Sequence, residues 1–564
     1  MKVVLGTLKL AFWAFVLSLP VLGMWLASSL AAYAGWSTAL AITAGLVAFP
    51  VLPVLWEVLA ARLRARRIAR RKSSSFLTDM ANKRRDSLRL RLFDRLFLRT
   101  LATSAVFVFG TVLIAPGHTF AALTTRGAWM LDGVEGPVAD GVRDTLLDTS
   151  EAFAWLHRWT HPNQFDGLAE SDTPAPPSLD ELPDDDPGVT PTRTERPLPT
   201  DDTDTDGEID PTDDTDTDDT DGEIDTDGEI EPETDTDSES EPGIDTDSEP
   251  EIDPDSEIDP DSEPEIDPKA ASLAATRRRL HRLWTHQRRP HPLAKAVPAE
   301  ATASIDALGT WVSEHESDPV LRVKLLHDWV ALNVRYDVPS LNDGSYTTKQ
   351  RAERVLRDRT GVCAGYANLL VALGEVTGDE IVYVTGDTRA IDGPGHAWNA
   401  VRIDGAWTLM DATWDAGSVG DDGFEARYST AYLFAPPSAF LLDHFPDDAG
   451  WQLREDPLTR GAFLRQHPIR PRFHQDGWTL LTDGRSPLPV GQTFQVNLTN
   501  TRGREILVKV DGSERECRTY VRNGMHTAHC VAERRGPQVV HLYDSAPDDE
   551  MYWGMGDLQV TASY

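Results

Sequence analysis

Three short stretches each carry one chemically active side chain: GVCAGYA around Cys363, GHAWNAV around His396 and LMDATWDAG around Asp411. A thiol, an imidazole and a carboxylate can together perform acyl transfer. The thiol attacks a carbonyl, the imidazole takes and returns the proton, and the carboxylate holds the ring's tautomer and its charged form. Each residue alone has a duller explanation. A cysteine near a helix start is usually a small buried hydrophobe. A histidine on a strand is usually a satisfied core group, and an aspartate at a strand end is often a turn cap. Only their placement can argue for chemistry.

The elements around them supply that placement. Gly361-Val362 breaks the preceding helix, and the stripe Leu369, Leu370, Leu373 marks a new helix that begins near Cys363. A helix N-terminus favours an ionised thiol. Asp404-Gly405 between alternating segments predicts a two-residue hairpin turn. That turn sets Trp398 opposite Asp411, with His396 as the diagonal neighbour on the same face, roughly 7–8 Å away between backbones. The backbone amide of Cys363 is the expected oxyanion donor. Trp398, Trp407 and Trp414 read as core aromatics, with Trp398 also lining the site and shielding the His–Asp pair. Gln350 is a second candidate for the lining, against the alternative of a solvated helix position. No metal site is expected among these residues.

With the upstream HDWVALNVRYD, the intervening VTGDTR and the following AYLFAPPSAFLLDHFPDDAGWQL, the three stretches resemble the core motifs of the transglutaminase-like superfamily. The likeness is greatest to its kyphoscoliosis-peptidase and cytokinesis-protein branch. It covers residues 297–470. The resemblance implies an α+β papain-like core, a protein or peptide substrate and no cofactor, and it carries Cys363, His396 and Asp411 over as catalytic residues. The superfamily holds peptidases, cross-linking acyltransferases, amidases and idle scaffolds. The expected function is therefore cysteine peptidase or acyltransferase chemistry, with a non-catalytic scaffold or binding ectodomain as the alternative.

The rest of the chain suggests where this core works. From Leu10 to Trp56 no side chain is charged. That is enough for two helical crossings of a ~30 Å hydrocarbon layer. Spans are expected near 10–32, 36–58 and 101–123, giving a membrane region over 1–135. Residues 62–99 hold 14 Lys+Arg against three Asp. The positive-inside bias puts this loop in the cytoplasm and everything after the third span outside. A nucleic-acid-binding role for the loop is much weaker between two spans, so no nucleic-acid partner is expected. Ala32-Tyr33-Ala34 also resembles a signal-peptide cleavage site, but the apolar run before it is long for one.

The net charge of −37 is misleading, because residues 171–268 hold 41 Asp+Glu against two Arg and the remainder is near neutral. This acidic Asp/Thr/Glu/Pro segment is expected to be a disordered tether that lets the enzyme reach cell-envelope proteins. Asp202, Asp204, Asp206, Gly207, Ile209 and Asp213 match a calcium-loop spacing there. Without flanking helices that match suggests only weak cation binding. An amphipathic helix is expected over 136–170. Residues 269–296 are basic, either the first helix of the next domain or a segment drawn to the tether or to anionic lipid.

Residues 471–564 show short strands with turn signals and predict an all-β, immunoglobulin-like sandwich. The Asn523-Gly524 turn sets Cys517 opposite Cys530, which predicts a cross-strand disulfide suited to an oxidising compartment. Of the three cysteines, that leaves Cys363 free. The sequon Asn497-Leu498-Thr499 matters only in a glycosylating cell.

Overall fold

Charge-free sequence at the N-terminus folds as helix. The computed structural model describes residues 2–70, 91–132, 134, 136–154, 158, 162–177, 268–390, 393–482, 486–547 and 551–564. The calcium-like loop, most of the acidic segment and the middle of the basic loop lie outside the described residues. Helix Lys2–Tyr33 is followed by Thr38–Leu46 and Leu52–Arg70, joined through an irregular turn at Phe49-Pro50. Next comes helix Leu92–Ile114. Two of the described helical stretches, Thr38–Arg66 and Leu92–Ile114, are long and apolar enough to cross a membrane; Leu17–Tyr33 is a shorter apolar stretch.

The third stretch differs from the expected 101–123. Pro116 has no amide to continue the ladder, so the helix stops at Ile114 and a new one runs Pro116–Arg126. Eight of its eleven residues are buried. It packs against the short helix Arg460–Arg465, and Arg465 donates to the Thr124 carbonyl. The amphipathic helix is shorter than expected, Pro137–Glu151, and Glu151 accepts from Thr459 and from the Gly461 amide. Beyond it, residues 162–170, expected in that helix, and Thr173, expected in the acidic tether, bond to the folded core. The basic helix Pro268–His286 belongs to the next domain, as the plainer expectation had it. It buries Leu273, Leu280, Leu283 and Trp284, and the Trp284 indole donates to the Ala431 carbonyl at 2.8 Å.

The central domain is α+β. Helix Ile305–His315 is capped by Ser304, and helix Pro319–Asn333 by Asp318, whose carboxylate accepts from the Leu321 amide at 3.0 Å. Strand β1 (Arg335–Tyr336) pairs in parallel with β2 (Thr360–Gly361), and this pair delivers the chain into helix Cys363–Thr377. Gly378, at φ 78°, ends that helix in the left-handed region. Strands β3 (Glu380–Thr388), β4 (His396–Ile403) and β5 (Ala406–Met410) follow. Small strands β6 (Gly417–Gly420) and β7 (Gly423–Ala426) form a side hairpin, and β8 (His444–Pro446) returns to the edge of β3. The sheet order is β5-β4-β3-β8, all antiparallel. Asp404 (φ 50°) and Gly405 (φ 83°) make the expected turn, and Ala400 pairs with Leu409 as the turn requires. The helix packs its Leu369, Leu370 and Leu373 into one core with Val401 and Ile403.

The C-terminal region holds two four-stranded sheets. One has the order β10-β16-β15-β12 and the other β13-β14-β11-β9, from β9 (Trp478–Leu480), β10 (Leu488–Val490), β11 (Thr493–Asn500), β12 (Glu505–Val510), β13 (Arg518–Arg522), β14 (Met525–Val531), β15 (Gly536–Ser545) and β16 (Trp553–Ala562). Val496, Leu498 and Ala528 of one sheet share a core with Val508, Val540 and Leu558 of the other. The β10–β16 pair is parallel, and the other pairs of these two sheets are antiparallel. The turn at Asn523-Gly524 sets Arg518 opposite His529, and Cys517 and Cys530 are joined in a disulfide. Cys363 is the free cysteine.

Candidate functional site

The site assembles where the helix start meets the end of the hairpin. Val362 is extended (φ −88°, ψ −178°), so the helix begins at Cys363 without a side-chain cap. Gln350 fixes that corner. Its side-chain oxygen accepts from the Val362 amide at 2.9 Å and its amide donates to the Tyr346 carbonyl at 3.1 Å. Gln350 is therefore a buried residue supporting the helix start, not a solvated helix position.

His396 opens β4 and Asp411 stands one residue past β5. Their separation in the register is the diagonal one, and the imidazole Nε2 meets the Asp411 carboxylate at 2.8 Å. The other carboxylate oxygen accepts from the Thr413 and Trp414 amides at 2.7 and 3.3 Å. The expected turn cap and the expected His partner are thus the same aspartate. The structure brings His396 and Asp411 together in a hydrogen bond and places Cys363 close enough to contribute to the electrostatics of the His396 ring.

Burial would push the His396 pKa down, but the Asp411 carboxylate and Cys363 outweigh it and hold the ring up at about 9. Asp411 is also fully buried, which would raise its pKa. The two histidines against it hold it well below the usual carboxylate range instead.

The second of those histidines, His444, was not singled out from the sequence. It sits on β8, and its Nε2 reaches the same Asp411 oxygen at 3.2 Å while its Nδ1 reaches Asp443 at 2.7 Å. Flanked by two carboxylates, its pKa too is held up at about 9 against burial. A ring of aromatics encloses the pair. Trp414 lies 5.3 Å from the His396 ring, Trp398 5.8 Å from it, and Phe440 4.2 Å from the His444 ring. Trp398 is 1 % exposed and backs the imidazoles as a core aromatic. Ligand atoms of His396, Asp411 and His444 lie within 4.8 Å of one another, close enough for a small cation. Both imidazoles are instead engaged with the one carboxylate oxygen, so a metal would have to displace both hydrogen bonds.

Tyr336 was also missed. Its side chain lies near Cys363 and Asp411. Burial, with the nearby Cys363 and Asp411, raises its pKa far above the ordinary tyrosine value, so it stays a neutral hydroxyl.

Residues 306–412 match the transglutaminase-like superfamily. This stretch is a transglutaminase-like domain. The chain is similar to the kyphoscoliosis peptidase of Mus musculus, 30% identical over 195 residues, which covers 33% of this chain and 29% of that protein. The kyphoscoliosis peptidase of Homo sapiens is 27% identical over 193 residues, 32% of this chain and 29% of that protein. Among solved structures, the chain is similar to a putative cysteine protease from Cytophaga hutchinsonii at 24% identity, covering 24% of this chain and 44% of that one, with a TM-score of 0.17. The chain spans under a third of the length of the two kyphoscoliosis peptidases it matches. The transglutaminase-like domain places Cys363 and His396 inside the matched stretch and Asp411 near its end, while His444 falls beyond it.

Proposed function

We propose that the chain is a membrane-anchored cysteine enzyme that acts on peptide or amide bonds outside the cytoplasm. The observation that carries this reading is the His396–Asp411 hydrogen bond beside a free cysteine at a helix start. In the reaction, Cys363 sulfur attacks the acyl carbon as a thiolate, with the proton held on the His396 imidazolium. The amine leaves with that proton as the C–N bond breaks, and a thioester remains. Water or an amine then attacks the thioester, giving its proton to His396, and the C–S bond breaks to release the product. Asp411 keeps the ring aligned and balances its charge. The Cys363 amide stabilises the oxyanion.

Membrane anchoring is supported by the two long apolar helices and by exposed Val106, Leu113 and Ile114 on the second of them. The extracytoplasmic side is supported by the basic loop and by the Cys517–Cys530 disulfide. The immunoglobulin-like character of the β region belongs to the same proposal.

A peptide-aldehyde or other thiol-directed amide probe tests the enzyme. Labelling of the wild type that disappears in Cys363→Ser and in His396→Ala is the expected result. One observation favours a second reading, a non-catalytic scaffold: Cys363 is only 1 % exposed. Absence of labelling at every pH would select the scaffold.

A further inference from the structure

A segment far from the matched stretch in sequence packs into the core that holds the buried Cys363. Residues 162–170 have almost no regular structure, only one helical turn at Asp166–Leu168. They lie far outside the matched stretch 306–412. Nevertheless they bond in sequence to groups on both sides of Cys363. Asn163 donates to the His396 carbonyl at 3.1 Å and to the Gly386 carbonyl at 2.7 Å. The Gln164 side chain accepts from the Tyr346 hydroxyl at 2.8 Å. The Phe165 ring is 1 % exposed, lies 5.5 Å from the Tyr346 ring and shares a core with Cys363. Leu168 and Glu170 then reach Asn368, on the helix that Cys363 begins.

The type of bonding matters. Four of these contacts use the segment's main chain: the Gln164 amide to the Pro394 carbonyl, the Phe165 carbonyl from the Tyr383 hydroxyl, the Leu168 carbonyl from Asn368, and the Glu170 amide to Asn368. Main-chain bonds of this kind are open to any extended peptide, while a pocket for one side chain selects which. Gly395 fits the same picture. Its φ is 85°, and a Cβ there would stand 2.5 Å from the Asn163 side chain.

We propose that the cleft over Cys363 is a binding groove for an extended polypeptide bearing an aromatic side chain, and that residues 162–170 are its resident occupant, which a substrate segment must displace. The proposal rests on the acyl-transfer reading for its meaning but not for its test. Phe165 fills the aromatic subsite, and Asn163 anchors the occupant to the His396 end.

The test uses the full chain in detergent and reads the alkylation rate of Cys363 by iodoacetamide, which needs a reachable thiol and no acyl transfer. Phe165→Ala and Asn163→Ala should each alkylate faster, by about tenfold for Phe165→Ala as the open fraction grows. A fluorescent synthetic peptide of residues 162–177 should bind Phe165→Ala saturably, bind wild type far less, and slow the alkylation. Wild-type rates in both folded variants would overturn the proposal, as would faster alkylation with no binding or protection by the peptide. If Phe165→Ala does not fold, hydrogen exchange of 162–170 in the wild type decides. Exchange much faster than in helix Cys363–Thr377 supports a displaceable occupant, and equal protection overturns it. Peptide binding without any turnover of the amide probe would keep the groove and discard the enzyme.

Discussion

Asp411 does three things with one carboxylate: it caps a helix, holds His396 and holds His444. Replacing it with asparagine removes the charge while keeping the shape. Two buried imidazolium rings then lose their shared partner, which costs about 3 kcal/mol of stability. Probe labelling of Cys363 in Asp411→Asn should also fall by about a hundredfold or more, measured beside a thermal melt. His444→Gln separates the two effects. Its melting temperature should drop, while labelling keeps an alkaline limb set by His396. The pH dependence follows from the signs. His396 and His444 sit at about 9, above the ordinary 6.5, so their contribution to stability is full below 6.5 and is lost as pH rises through about 9. Asp411 lies below its ordinary 3.8, so its contribution is present above that value and fades as the pH falls further. Denaturant midpoints across pH 3–10 check this, and a midpoint that rises above pH 9 would contradict it.

Elements built from neighbouring residues could be read from sequence. Asp404-Gly405 fixed the β4–β5 register, and with it the approach of His396 to Asp411. Asn523-Gly524 did the same for the disulfide. His444 escaped because β8 meets β3 across a long connection with no turn between them to count from. Tyr336 escaped for the same reason, since only the parallel pairing of β1 with β2 sets it opposite Gly361, two residues before Cys363. Residues 162–170 were expected within the amphipathic helix over 136–170, and only tertiary contacts show that NQFDGLAE instead lies along the core. Gln350 is the element-scale test. Gln350→Ala leaves the buried Val362 amide without its acceptor, which should cost about 1–3 kcal/mol and slow labelling, because the start of the nucleophile helix loosens. The disulfide gives the opposite separation. Cys517→Ser with Cys530→Ser should lose about 2–4 kcal/mol while labelling at Cys363 is retained, since the pair lies in the other core.

At the scale of the whole molecule, the apolar helices, the helix Pro116–Arg126 and the transglutaminase-like domain are joined by direct contacts. The domain therefore packs directly against the apolar helices through Pro116–Arg126. An external protease added to sealed, right-side-out vesicles should cut beyond residue 126 and spare the 62–99 loop; the reverse pattern would invert the proposed topology. Both flanks of the stretch 178–267 are held by that one domain, residues 162–177 by the groove and Pro268–His286 by Trp284. The register of residues 162–170 is thereby set from within the fold: Asn163 is fixed to the His396 and Gly386 carbonyls and Phe165 to its place beside Tyr346, so a single residue inserted between Asn163 and Phe165 would throw the aromatic out of its pocket.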